Sequence, residues 1–322
     1  MDDQTFAALV GQIGALSGSQ REVLLRLLSA PAPTAGALLD GRESALVRCA
    51  HCGGADVSKW GQANGLQRYR CRDCRRTCNA LTGTSLARLR HKAVWLGFGA
   101  ALQQTLSVRK SAKACGVAVS TAFRWRHRFL AAPAADKPTQ LSGIVEADET
   151  FFRRSYKGSR GWTRPAADAP VPDRAPRRRG APTGRRGTPL DQQVPVLIMR
   201  DRHKTTSDAV LNNLTAQAIG AHLIPLLAPD TLLCTDTGRA YGVIARQIGI
   251  RHEPINVSAG AYVRDGVFHI QNVNAYDSRL KAWMQPFNGV ATRYLPSYLG
   301  WRRMLESLAE TINPTEILLK CA

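Results

Sequence analysis

No uninterrupted apolar run in the 322-residue sequence approaches the roughly 18–20 residues that a bilayer span requires, which excludes a membrane-spanning helix. Acidic residues are few: 24 Asp and Glu stand against 44 Lys and Arg, a formal net charge of +20. That imbalance says nothing about fold, but it favours a polyanionic partner. The N-terminus lacks the basic opening of a secretory signal and begins Met1-Asp2-Asp3, so the chain is expected not to be exported. In an unexported chain the eight cysteines are not expected as disulfides. Four fall into two close pairs and the rest scatter, which favours metal ligation with free thiols. No internal repeat is present. Otherwise the composition, 44% hydrophobic and 21% charged, is that of a globular protein, long enough for two or three domains of about 100–200 residues each.

Residues 49–78 hold the cysteine pairs, Cys49-Ala50-His51-Cys52 and Cys71-Arg72-Asp73-Cys74, separated by the eighteen residues 53–70. Two tight turns at that spacing present four thiolates tetrahedrally, so a structural zinc on Cys49, Cys52, Cys71 and Cys74 is expected. His51 and Cys78 fall outside the pattern. Lys59, Arg68, Arg70, Arg72, Arg75 and Arg76 surround the ribbon with Trp60 and Tyr69, a mixture that suits nucleic acid.

Residues 79–135 read as a helical DNA-binding segment. Gly116 allows a turn, Val117 and Val119 are expected to pack inward, and Ser120 to cap a second helix over Thr121–Phe129. That helix carries Arg124, Arg126 and Arg128, the cations expected to enter a groove. In residues 1–48, Phe6, Leu9, Val10, Ile13 and Leu16 recur at helical spacing, and Glu22–Leu28 forms a second short helix. These helices are expected to cover a neighbouring domain; a DNA-end or dimer contact is the alternative.

The remainder, residues 140–310, predicts an α/β domain. Ile144-Val145 starts a strand leading into Asp148. From Arg153 to Leu190 come eleven Lys or Arg and almost nothing aliphatic, a basic insertion (153–193) that cannot bury enough apolar surface to fold alone. Strands are then expected over Val194–Met199, Ala209–Leu211 and Leu232–Thr235, and helices over Ala216–Leu227, Tyr241–Ile248 and Val273–Met284, which places helices on both faces of one sheet. Asp148 and Asp236 each follow an apolar run and are read as standing at strand ends. Aspartates so placed can hold two magnesium ions about 3.5–4 Å apart for chemistry on a phosphodiester. Glu146 and Glu149 are the local competitors; Glu146 shares the strand face of Asp148 but lies deeper.

The stretches Ile144-Val145-Glu146-Ala147-Asp148-Glu149-Thr150-Phe151, Cys234-Thr235-Asp236 and His269 … Asn274 … Ser278 … Lys281 resemble bacterial insertion-sequence transposases of the ISXO-like group. So do Asn272–Tyr276 and Gly289–Trp301, and the resemblance runs from about Arg48 to Glu306. It implies a zinc ribbon ahead of an RNase H-like D-D-E domain: an enzyme that binds the terminal inverted repeats of its element in double-stranded DNA, cuts there and joins the ends to target DNA. It further implies catalytic magnesium (manganese can substitute), a homo-oligomer in a paired-end complex, and a cytoplasmic, nucleoid-associated location. The family's third acidic position is Asn274 here, so the implied triad is Asp148, Asp236 and Asn274. Asp277, one turn on, is the alternative third ligand, and Asn274, Asp277 and Lys281 share a helix face. Lys281 is then expected on the phosphate near the cleaved end; His269 either orients the scissile phosphate or is an ordinary packed or capping histidine. A non-catalytic DNA-binding regulator and an inactive degenerate transposase are the alternatives.

Overall fold

The computed structural model describes residues 3–29, 34–42, 48–159, 192–256, 259–260, 262–309 and 311–322. Residues 1–80 form one unit and residues 81–322 another. The smaller begins with two helices, α1 (Asp3–Ile13) and α2 (Gly18–Ser29). In them Phe6, Leu9, Val10, Ile13, Val23 and Leu25 are exposed. A short α3 (Ala35–Asp40) is capped by Thr34, whose hydroxyl accepts from the Ala37 N–H. The ribbon pairs β1 (Val57–Ala63) with β2 (Leu66–Cys71) and β2 with β3 (Thr77–Cys78), all antiparallel. Asn64-Gly65 makes the hairpin turn, and both residues have positive φ (53° and 72°), the backbone that matches strand twist in a two-residue loop. Few large apolar side chains are buried here beyond Leu39 and Leu66. A core that small needs a cross-link to hold it.

In the larger unit the helical segment comprises α4 (Trp95–Gln103), α5 (Val108–Ala114), α6 (Val119–Phe129) and α7 (Ala131–Ala135). Ser107 caps α5, and Gly116 (φ 63°) turns the chain into α6. Phe98 meets Trp125 and Phe129 edge to face at 5.4 and 5.0 Å, and Trp95 meets Phe129 at 5.5 Å. Two expectations fail. The cap of α6 is the backbone of Ala118 rather than Ser120, and Val119 is exposed because the inward stripe begins at Ala122. The segment does not stand apart from the α/β domain. The Trp301 indole donates to the Leu102 carbonyl at 3.2 Å, and a Cβ on Gly99 would lie 2.7 Å from the Pro314 carbonyl oxygen.

The sheet has the order β6-β5-β4-β7-β8, built from β4 (Ile144–Arg153), β5 (Gln193–Asp201), β6 (Thr206–Val210), β7 (Leu232–Thr235) and β8 (Arg251–Pro254). The β4–β5–β6 pairs are antiparallel and the β4–β7–β8 pairs parallel. Most of the expected basic insertion, residues 160–191, lies outside the described residues. Helices cover both faces. Val145, Ala147 and Leu233 pack with α8 (Ala216–Leu223) and α9 (Arg239–Ile248); Val196, Ile198 and Cys234 pack with α10 (Gln271–Met284) and α11 (Leu295–Ser307). A last helix, α12 (Pro314–Cys321), lies against α4. Among the described residues no helix is long and apolar enough to cross a membrane.

Candidate active site and metal centre

Side chains alternate across a strand, so residues 146 and 148 project from the face opposite Val145 and Ala147, toward α10. In β7, Cys234 faces α10 and Asp236 shares its parity. The parallel register pairs Ala147 with Thr235, which sets Asp148 and Asp236 side by side one residue beyond the last pair. Asp148 is nevertheless mid-strand rather than terminal: β5 continues to pair as far as Arg153↔Gln193, so β4 outruns β7. Asp148 Oδ1 accepts from the Glu149 N–H at 2.8 Å. Asp236 Oδ1 accepts from the Gly238 N–H at 2.8 Å, and a Cβ on Gly238 would lie 2.8 Å from that oxygen, so a larger residue there would displace the carboxylate.

Across from them, Val273, Tyr276 and Leu280 bury the apolar stripe of α10, and Asn274, Asp277 and Lys281 run along its edge. Exposure rises along this row at its outer end: Asp277 is 7% exposed and Lys281 is exposed. Asn274 is half-buried and its amide makes no hydrogen bond among the described residues. Asp277 Oδ1 is buried with no hydrogen-bond partner among the described residues. Burial raises the Asp277 carboxyl to about 7, the Asp148 charge adds to the rise, and Lys281 opposes it. Burial likewise raises Asp148 to about 6; the Glu149 N–H opposes this, Asp236 adds to it, and Lys281 opposes it. These four charged groups thus interact in one place. Among the described residues, no three carboxylates bring their oxygens within the 4.8 Å that the four thiols achieve.

The residue that fixes α10 over the sheet is Glu146, weighed from sequence only as a competitor. It is fully buried. Its Oε2 accepts from the Val273 N–H at 2.9 Å; its Oε1 accepts from Asn272 Nδ2 and Arg202 NH1, each at 2.9 Å. A carboxylate at a helix N-terminus also meets the favourable end of the helix dipole. His269 belongs to this anchor: Arg202 NH1 lies 2.6 Å from its Nε2, and its Nδ1 is 3.4 Å from Glu146. On the opposite face the Tyr241 hydroxyl donates to Glu149 at 2.6 Å, tying β4 to α9.

In the ribbon, Cys49 Sγ lies 3.6 Å from Cys74 Sγ, and Cys52 Sγ lies 3.7 Å from Cys71 Sγ. A tetrahedral zinc with bonds of about 2.3 Å demands sulfur separations of about 3.8 Å, so the four thiols fit that ion. The His51 N–H points at Cys49 and holds its thiol down at about 6. Each turn closes with a residue of positive φ, Gly53 in the first and Arg75 in the second. Arg75 and Arg76 are exposed.

Of the three arginines expected in a groove, only Arg124 is exposed. Arg126 is buried completely. It donates to the Leu106 carbonyl (2.6 Å) and Ser111 Oγ (2.9 Å), and its guanidinium lies 4.6 Å above the Trp301 ring. Arg128 gives its donors to the Ser85 and Ala87 carbonyls. Both therefore join structure to structure. Arg126→Ala is expected to cost about 2–3 kcal/mol of stability, because it strips buried acceptors of their donor. Urea unfolding would measure this. A variant as stable as wild type but weak on DNA would return Arg126 to the binding surface.

The domain is thus a mixed α/β sheet covered by helices on both faces, with Asp148 on a central strand and Asp236 just past its neighbour, on the side of α10. The ISXO2-like transposase domain matches residues 140–302, and the chain belongs to that transposase family. It is 29% identical, over 263 residues, to an uncharacterized protein in transposable element ISH50 of Halobacterium salinarum, covering 79% of this chain and 83% of that one. Among solved structures it is similar to the simian T-cell lymphotropic virus intasome (10% identity, 65% and 68% coverage, TM-score 0.30). A pre-cleavage Mos1 transpososome is also similar (11% identity, 69% and 77% coverage, TM-score 0.24).

Proposed function

We propose that this protein is a DNA transposase that binds the terminal inverted repeats of its own element, cuts there, and joins the freed 3′-hydroxyl to target DNA. The observation that carries the reading is the juxtaposition of Asp148 and Asp236 on one sheet face, beneath the α10 row Asn274, Asp277 and Lys281. Asp148, Asp236 and the Asn274 amide oxygen would hold magnesium, or manganese in its place. Asp277 supplies the negative charge that an amide lacks, and its buried, unpartnered oxygen fits a cation nearby. When bound, the metal supplies charge stabilisation at the entering and leaving oxygens of an in-line displacement on phosphorus.

The chain's own groups do the rest. Glu146 holds the α10 row against the two aspartates, so the donor set is positioned before DNA arrives. Lys281, exposed at the outer end of the row, meets the phosphate beside the cleaved bond. Arg124, Arg75 and Arg76 are the exposed cations for double-stranded DNA, and two copies bring two ends together. The test is magnesium-dependent cleavage and strand transfer on a plasmid carrying the element's own ends. Ends bound tightly but never cut, with either metal, would replace this reading by a DNA-binding regulator.

Zinc at Cys49, Cys52, Cys71 and Cys74 serves the ribbon alone, since four thiolates leave no open position. Chelation is expected to release one zinc per chain and to unfold residues 48–78, because metal binding and folding are coupled in such a site. The amide resonances of that segment should collapse while those of the α/β domain persist. Purified protein with a folded ribbon and well under one zinc would refute it.

A further inference from the structure

Between α5, α6 and the segment following α10 lies a cleft of about 910 Å³ that none of the steps above uses. Among the described residues its lining contains Arg109, Lys110, Lys157 and Arg293 and no Asp or Glu. Its floor is aromatic. Phe123 is 41% exposed; its ring lies 5.7 Å from that of Tyr294, and His127 stacks on Tyr294 at 3.6 Å. Burial and the neighbouring Arg126 and Arg293 lower the His127 imidazole to about 4, so at neutral pH it adds a flat neutral ring rather than a charge. Lys157 donates to the Asn288 and Gly289 carbonyls and closes one wall, which leaves Arg109, Lys110 and Arg293 as exposed cations.

We propose that this cleft takes one unpaired nucleotide of a DNA strand, its base stacked against Phe123, which Tyr294 backs edge-on, and its phosphates met by Arg109, Lys110 and Arg293. A concavity of this size is within the range of small-molecule sites and far too narrow for a duplex. An exposed ring in a cleft whose described lining is cationic offers stacking to any base and attraction to its backbone, the pattern by which proteins hold unstacked bases. Position supports the assignment. The cleft is reached a few residues after Lys281, since α10 ends at Met284 and the lining resumes at Pro286. It is also reached along β4, beyond Asp148: at the cleft's edge the Thr292 N–H donates to the Ser155 carbonyl and the Ser155 N–H donates to the Thr292 hydroxyl. The inference rests on the chain's acting on DNA ends, and gives a base displaced beside the cut a place to go.

The test uses the full-length, zinc-loaded protein and two fluorescent probes of equal charge, a dT hexamer and an abasic hexamer. Wild type is expected to bind the dT hexamer about tenfold more tightly, the scale of stacking on one base. Phe123→Ala should abolish that preference, Phe123→Trp should restore it, and Arg293→Ala should weaken both probes alike. Phe123 is exposed enough that its loss leaves the helical core intact; a normal thermal transition confirms this. Equal affinity of wild type for the two probes, or a preference that survives Phe123→Ala, overturns the proposal. End cleavage in magnesium separates the two readings: cleavage without base preference removes the cleft's role alone, and base preference without cleavage removes the transposase chemistry alone.

Discussion

Asp148→Ala and Asp236→Ala are each expected to lower cleavage of element ends by at least ~10²–10³-fold, the loss seen when a single preorganised electrostatic contact is removed from an active site. End binding should stay nearly intact, because the cations that position DNA lie elsewhere on the chain. The third position is the sharper question. Asn274→Ala removes an oxygen ligand and should cripple cleavage. Asp277→Ala removes the charge that interacts with Asp148 and should cripple it too, if the two residues act as one unit. An Asp277→Ala variant that is dead beside a near-normal Asn274→Ala would make Asp277 the ligand and move the site one helical turn. Activity retained in all four variants would end the catalytic reading.

Much of this site was legible in sequence because its elements are local. The cysteine spacing and the parity of residues 146, 148, 234 and 236 each depend on a few neighbouring residues. So does the face shared by Asn274, Asp277 and Lys281. What was not legible depends on distant partners. Arg126 and Arg124 are the same residue type two positions apart; only Trp301, arriving from α11, makes one of them a buried strut. Glu146 looked like a spare acid, because Arg202 and the N-terminus of α10 reach it from far along the chain. The extent of β4 was misread for the same reason. Its parallel partner stops at Thr235, but the antiparallel one, beyond the basic insertion, runs on. Residue type alone does not tell Phe123 from its buried neighbours: the helical core is closed by Trp95, Phe98, Trp125 and Phe129 without it.

Asp277→Asn is expected to stabilise the magnesium-free protein at pH 8 while disabling the site. The Asp277 carboxyl is raised from 3.8 to about 7, chiefly by burial and then by the Asp148 charge. A carboxyl that holds its proton more tightly in the folded state contributes stability that is full below about pH 4 and lost as pH rises through about 7. At pH 8 the folded chain therefore carries a buried charge, one of whose oxygens has no partner. Replacing it by a neutral amide of the same shape removes that burden. Relative to wild type, Asp277→Asn should gain about 2–3 kcal/mol between pH 5 and pH 8 in urea unfolding, as a shift of this size implies. Magnesium should then raise the stability of wild type at pH 8 and leave the variant unmoved, since a ligand stabilises only the state that binds it. A variant destabilised equally at pH 5 and pH 8 would make Asp277 a packing residue of α10. Its charge would then have no part in holding a cation.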